Sequence, residues 1–80
     1  MGERITDADI DKQLRYLNNL ITESGLEVHH GKRYNYNALD VYTHNGKLLD
    51  TIETGMTKKE TYNTIWHLIK GIELYTHSKY

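Results

Sequence analysis

Apolar residues near the start of this chain recur with the period of a helix. Ile10, Leu14, Leu17 and Ile21 fall at i, i+4, i+7 and i+11, a narrow stripe that Leu20 widens. Thr6 precedes the stripe as the expected N-cap, with Asp9 at the capping-box position, and acidic residues there complement the positive helix end. Asp11 and Arg15 form an i,i+4 pair on the solvent side. Gly25 is placed as the left-handed residue that stops the helix, with Leu26 folding back on the last turn.

The period then shortens. Residues 26–30 predict a short strand that rests on Leu26 and Val28 alone. Residues 34–43 predict a stronger one, because β-branched and aromatic residues alternate with polar ones. Asn45-Gly46 reads as a type I′ hairpin turn, and residues 47–54 as the returning strand. Thr57 and Glu60 make a second capping box, followed by Tyr62, Ile65, Trp66 and Ile69 at helical spacing. That predicts a helix over 58–70, stopped by Gly71, with Ile72 as the apolar residue beyond. The order is helix, two or three antiparallel strands, helix. It defines an α+β fold with both helices on one face of the sheet. One domain spans 1–80, with residues 1–5 and 75–80 expected to fray.

A two-residue turn at Asn45-Gly46 sets His44 opposite Lys47, Tyr42 opposite Leu49, Asp40 opposite Thr51 and Leu39 opposite Ile52. One face then carries Leu39, Val41 and Ile52, which suits the helices. The other carries Tyr36, Ala38, Tyr42 and Leu49, interrupted by Asp40 and Thr51. An ordinary solvated face is more polar than this. Two readings stand side by side: tyrosines that pack across strands in solvent, or an interface with a second copy or a partner protein.

Composition sharpens the picture at three points. Seven tyrosines and one tryptophan occur with no phenylalanine. Such rings suit half-exposed surfaces better than a dry core. No cysteine is present, which excludes disulfides and thiolate metal sites and favours a reducing, cytoplasmic setting. Ten basic residues against eleven acidic ones give a net charge of -1, which argues against non-specific nucleic-acid binding. No apolar leader or membrane-spanning run is read in the sequence.

Candidate chemistry is sparse. His29-His30 on a strand point to opposite faces and do not chelate one ion together; His44 and His67 read as surface residues. Ser24 and Ser78 have no base at a telling spacing, and Asp40 and Asp50 fall on opposite strand faces. No catalytic residue, metal or cofactor is expected. Lys58 and Lys59 at a helix start, with Lys32 and Arg33 in one loop, are the candidate contacts for an anion or nucleic acid. The plainer reading makes both helix-start lysines solvated neighbours of a capping box.

Gly55, Thr57, Lys58, Lys59, Glu60 and Tyr62, followed by Leu68, Ile69, Gly71 and Ile72, resemble a family of short proteins from phage and prophage genomes. Leu17-Asn18-Asn19-Leu20 and the stretch from Tyr34 to Leu39 match its helix end and Tyr-rich strands loosely. Asn35 and Asn37 flank Tyr36 where the family has Gly-Gly-Tyr. The resemblance implies a small accessory protein of the host cytoplasm that modulates or inhibits a host protein, or sequesters a phosphorylated signal molecule. The element order is also similar to the double-stranded-RNA-binding domain, which holds phosphates with lysines at its last helix. Asp7, Asp9 and Asp11 stand where that family has a basic or polar contact face. The leading expectation is a protein-binding module without catalysis, a homodimer through Tyr36, Ala38, Tyr42 and Leu49. The alternatives are a nucleic-acid-binding module through Lys32, Arg33, Lys58 and Lys59, and a sponge for a phosphorylated molecule.

Overall fold

The computed structural model describes residues 4–78. Helix α1 spans Asp7–Leu20, strands β1, β2 and β3 span Leu26–Arg33, Tyr36–Thr43 and Leu48–Met56, and helix α2 spans Lys58–Ser78. Both expected capping boxes form. The Asp9 amide donates to Thr6 Oγ1 at 3.2 Å and the Thr6 amide to Asp9 Oδ2 at 2.9 Å. Glu60 and Thr57 repeat the pattern at 3.1 and 2.9 Å. A 3₁₀ turn, Thr22–Ser24, follows α1, and Gly25 ends it with φ +79°. The left-handed glycine is therefore in its expected place, one turn later than a simple helix stop.

The three strands form one antiparallel sheet in the order β1-β2-β3. The short first strand of the sequence reading is eight residues long. It extends because Tyr34 and Asn35, with φ +53° and +69°, make a two-residue turn between paired Arg33 and Tyr36. Two consecutive positive φ values are what a type I′ turn demands. The sequence reading had placed Tyr34 inside β2 and the type I′ turn at Asn45-Gly46 instead. There, only Gly46 is left-handed, with φ +86°. The Gly46 amide donates to Thr43 O and the Thr43 amide to Lys47 O, both at 2.9 Å. That closes a three-residue loop, His44 to Gly46, of the bulged kind.

The longer loop and three register shifts along the β2–β3 ladder change the expected register. Asp40 does oppose Thr51, but Tyr42 opposes Leu48 and Leu39 opposes Glu53. Leu49 and Ile52 become the extra residues of two bulges.

Both helices lie on the face that carries Val28, Leu39 and Val41. Ile10, Leu14 and Leu17 of α1 and Ile65 and Ile69 of α2 close on Val28, Leu39 and Met56. Each such side chain contributes about 1.5–3 kcal/mol when fully buried. Ile5, Ile52, Tyr62 and Ile72 pack at the margin of this cluster.

Gly71 does not stop α2. The helix continues through it to Ser78, so residues 75–78 are helical and Ile5 is half-buried, against the expectation of frayed ends. Residues 1–3 and 79–80 lie outside the described residues. The continuation has a physical reason beyond Gly71. Ile72 packs on the core, and Glu73 accepts a hydrogen bond from the Tyr16 hydroxyl at 2.7 Å.

Candidate functional site

The helix-free face is built from alternate residues of three strands: Glu27, His29 and Arg33 of β1, Tyr36, Ala38, Asp40 and Tyr42 of β2, and Leu48 and Thr51 of β3. Its floor is polar and internally satisfied. Asp40 is 5% exposed, yet both of its oxygens are engaged. Thr51 Oγ1 donates to Asp40 Oδ1 at 2.7 Å and the Arg33 guanidinium donates to Asp40 Oδ2 at 2.8 Å. Burial pushes the Asp40 carboxyl upward, but the hydrogen bonds from Thr51 and Arg33 and the guanidinium charge outweigh it and hold it below its ordinary value. Removing Arg33 would leave a buried charge with half its partners, the costly case for such pairs.

A second network sits nearer the β2–β3 loop. The imidazoles of His29 and His44 both donate to Glu27, each at 2.9 Å. Hydrogen bonds from His29 and then His44 hold the Glu27 carboxyl below its usual range, while the Glu27 bond raises His44. The His29 ring lies 4.6 Å from the Tyr42 ring, an aromatic pair across the strands. One carboxylate thus ties β1 to the loop after β2.

Around this floor, Tyr36 is 53% exposed, Leu48 48% and Leu49 51%. Tyr42 is half-buried. Ala38, at 1% exposure, is a correction to the expected contact set. A single methyl on the middle strand, flanked along the same face by Tyr36 and Asp40, lies below their level and offers no surface to a partner.

The four candidate cations do not form one surface. Lys32 and Lys58 do meet, each 3.7 Å from a different oxygen of Asp7, so an internal carboxylate already stands between them. Arg33, one residue on from Lys32, emerges on the opposite face toward Asp40. Lys59 is exposed on the first turn of α2. Two amides at that helix start, those of Thr57 and Glu60, are taken by the capping box, which leaves a phosphate fewer donors there.

Several residues escaped the sequence reading because they act through register. Asn18 of α1 grips the outer edge of β1: its amide donates to Val28 O at 3.0 Å and its Oδ1 accepts the Val28 amide at 2.7 Å. On the opposite edge the Thr51 amide donates to Asp50 Oδ1 at 2.8 Å. His30 is not a surface residue. It lies on the helix-covered face, its Nε2 2.7 Å from Asn37 Oδ1, and Asn37 donates in turn to Met56 O at 3.1 Å. The only advance signal was a pair of asparagines, Asn18 and Asn19, on the flank of an apolar stripe.

Among the described residues, no group of three or more His, Cys, Asp or Glu side chains is arranged to hold a metal ion, and no helix is long and apolar enough to cross a membrane. Comparison of this chain with family models, curated proteins and solved structures gave no match.

Proposed function

We propose that this chain is a small accessory protein of the phage type that acts by binding another protein through the helix-free face of its sheet. The phage setting comes from the motif resemblance alone. The observation that carries the binding reading is a sheet with one face bare and each edge occupied at its middle. Asn18 holds the backbone of Val28 on β1, and Asp50 holds the amide of Thr51 on β3. Strand addition needs such groups free. Association is therefore expected face to face, through Tyr36, Tyr42, Leu48 and Leu49 around the satisfied Asp40. Exposed tyrosines and leucines are residue types that interfaces use, and the polar floor between them has its hydrogen bonds already made, so covering it strands no charge.

A second copy is the partner this reading puts first. Glu27 and Arg33 stand near opposite ends of β1 on this face, both partly exposed, so a two-fold related copy can set one sign against the other. A face three strands wide and eight residues long spans roughly 14 by 27 Å. Two such footprints amount to about 760 Å², below the roughly 1,200 Å² of stable specific interfaces, so this self-association is of the weak, transient kind. Light scattering over a concentration range, with Leu48→Asp and Leu49→Asp as comparisons, tests it. Both side chains are half-exposed, so the folded monomer survives either change. A mass that stays monomeric throughout removes the self-interface.

One observation favours a second reading, a nucleic-acid-binding module. With β1 present at full length, the order helix, three strands, helix of the double-stranded-RNA-binding domain is complete. This reading requires salt-dependent binding to duplex RNA that is lost in Lys58→Glu/Lys59→Glu. Binding that ignores salt, or survives the double change, counts against it.

A further inference from the structure

We infer that the cleft between α1 and α2, on the side of the molecule away from the bare sheet face, is a binding site for a small planar aromatic anion. The cleft has a volume of 420 Å³ and is lined by Asp9, Lys12, Gln13 and Tyr16 of α1 and Tyr62 of α2. That volume falls in the range of sites for small ligands, about 300–1,000 Å³. A second cavity, 200 Å³ beside Arg33, Tyr34 and Tyr36, falls below it.

The lining specifies the chemistry. The α1 residues stand at i, i+3, i+4 and i+7, one helix face turned toward α2. Tyr16 is fixed across the gap, its hydroxyl donating to Glu73 Oε2 at 2.7 Å, with Glu73 Oε1 3.6 Å from Lys70 Nζ. Tyr62 is half-buried and packs against the core. Each helix thus contributes one tyrosine ring to the wall of the cleft, which suits an aromatic ligand.

Charge narrows the ligand further. Asp9 is firmly ionised, because the Thr6 amide and then its hydroxyl hold the carboxyl below the usual range, with help from the charge of Lys12. One exposed ammonium beside one fixed carboxylate matches a ligand with a single negative charge and a donor group. A phosphate dianion or polyphosphate fits this pair poorly. Gln13 adds an amide able to donate or accept. The ligand class is therefore a ring bearing one carboxylate and one hydroxyl or amino group. The site is independent of the protein-binding reading, so either can fail without the other.

The test is a titration of the ¹⁵N-labelled full chain with 4-hydroxybenzoate, followed by amide chemical shifts. Phenol supplies the ring without the charge, and acetate the charge without the ring. The expected result is saturable shifts confined to the first three turns of α1 and the first two of α2. Affinity falls at least tenfold for phenol, for acetate, and for 4-hydroxybenzoate with Lys12→Glu. The same spectra report whether that variant is folded; Gln13→Ala, also expected to weaken binding, serves if it is not. Absence of shifts at millimolar ligand, shifts centred on the bare sheet face, or affinity indifferent to both substitutions would overturn the inference.

Discussion

Asn18→Ala is the substitution whose effect the structure sets most tightly. Asn18 makes two hydrogen bonds to one residue of an edge strand, at 3.0 and 2.7 Å, and Val28 itself is buried. The alanine leaves one backbone amide and one carbonyl without partners. A hydrogen bond of this kind contributes about 0.5–1.5 kcal/mol net, so the pair is worth about 1–3 kcal/mol. A domain of this length has roughly 4–12 kcal/mol in total. In urea, with a slope of about 1 kcal/mol/M for so small a chain, the midpoint falls by about 1–3 M at unchanged slope. Asn18→Asp is the sharper comparison. It keeps the acceptor for the Val28 amide but turns a charged oxygen toward Val28 O, so at neutral pH it falls at least as far. In acid its protonated carboxyl regains a donor, and it recovers relative to the alanine variant. An alanine variant within about 0.5 kcal/mol of the parent, or an aspartate variant that tracks the alanine at every pH, would refute the reasoning.

Other consequences follow from the same geometry. Gly71 lies inside α2, with open space where a Cβ would project and no positive φ. Gly71→Ala should therefore raise stability by about 0.5–1 kcal/mol in urea melts; a fall would mean that α2 ends there after all. Tyr34 holds φ +53° while 94% exposed, so its ring repays none of the backbone strain. Tyr34→Asn should stabilise by about 1 kcal/mol, and a loss in the same melts would reveal a contact that this exposure denies. The Glu27–His44 bond carries a pH signature. Its raised histidine gives stability that is complete below about pH 6.5 and fades as pH rises through the folded value. Its lowered glutamate gives stability present above about pH 4.3 and lost as pH falls through the folded value. Thermal melts between these limits and pH 8 should thus decline toward the alkaline side, and Glu27→Gln should flatten the decline. An unchanged profile in that variant would remove Glu27 as the cause.

What could be read in the sequence follows the range of the physics. Capping boxes act over three residues, so Thr6 with Asp9 and Thr57 with Glu60 were legible before any fold existed. The stripe of Ile10, Leu14 and Leu17 was equally local, and all three are buried. Gly71 misled because a glycine near an expected helix end looks like a cap, while the contacts that carry α2 onward come from Tyr16, 57 residues away. Asn45-Gly46 misled in a related way. The favoured turn dipeptide closed a bulged loop, and the less favoured Tyr34-Asn35 made the two-residue turn.

The bare face was legible only in outline. Its existence followed from helix, strands, helix, and Tyr36 and Leu49 are exposed on the strands that were read. Its floor was not. The Asp40–Arg33–Thr51 and Glu27–His29–His44 networks need the register of both ladders, and the register moves with every bulge in β3. Ala38 shows the limit of alternation as a guide: its strand parity gives the face correctly, while its size and central position decide that nothing can touch it.

The most direct test of the central claim, association through the bare face, is the solution mass by light scattering from low micromolar to near millimolar protein, for the parent chain and Leu48→Asp. The account predicts a parent mass that climbs from the 9.4 kDa monomer toward twice that value, and a variant that keeps its circular dichroism but stays at the monomer mass. A parent that remains monomeric at every concentration, or a variant that associates as the parent does, would contradict it.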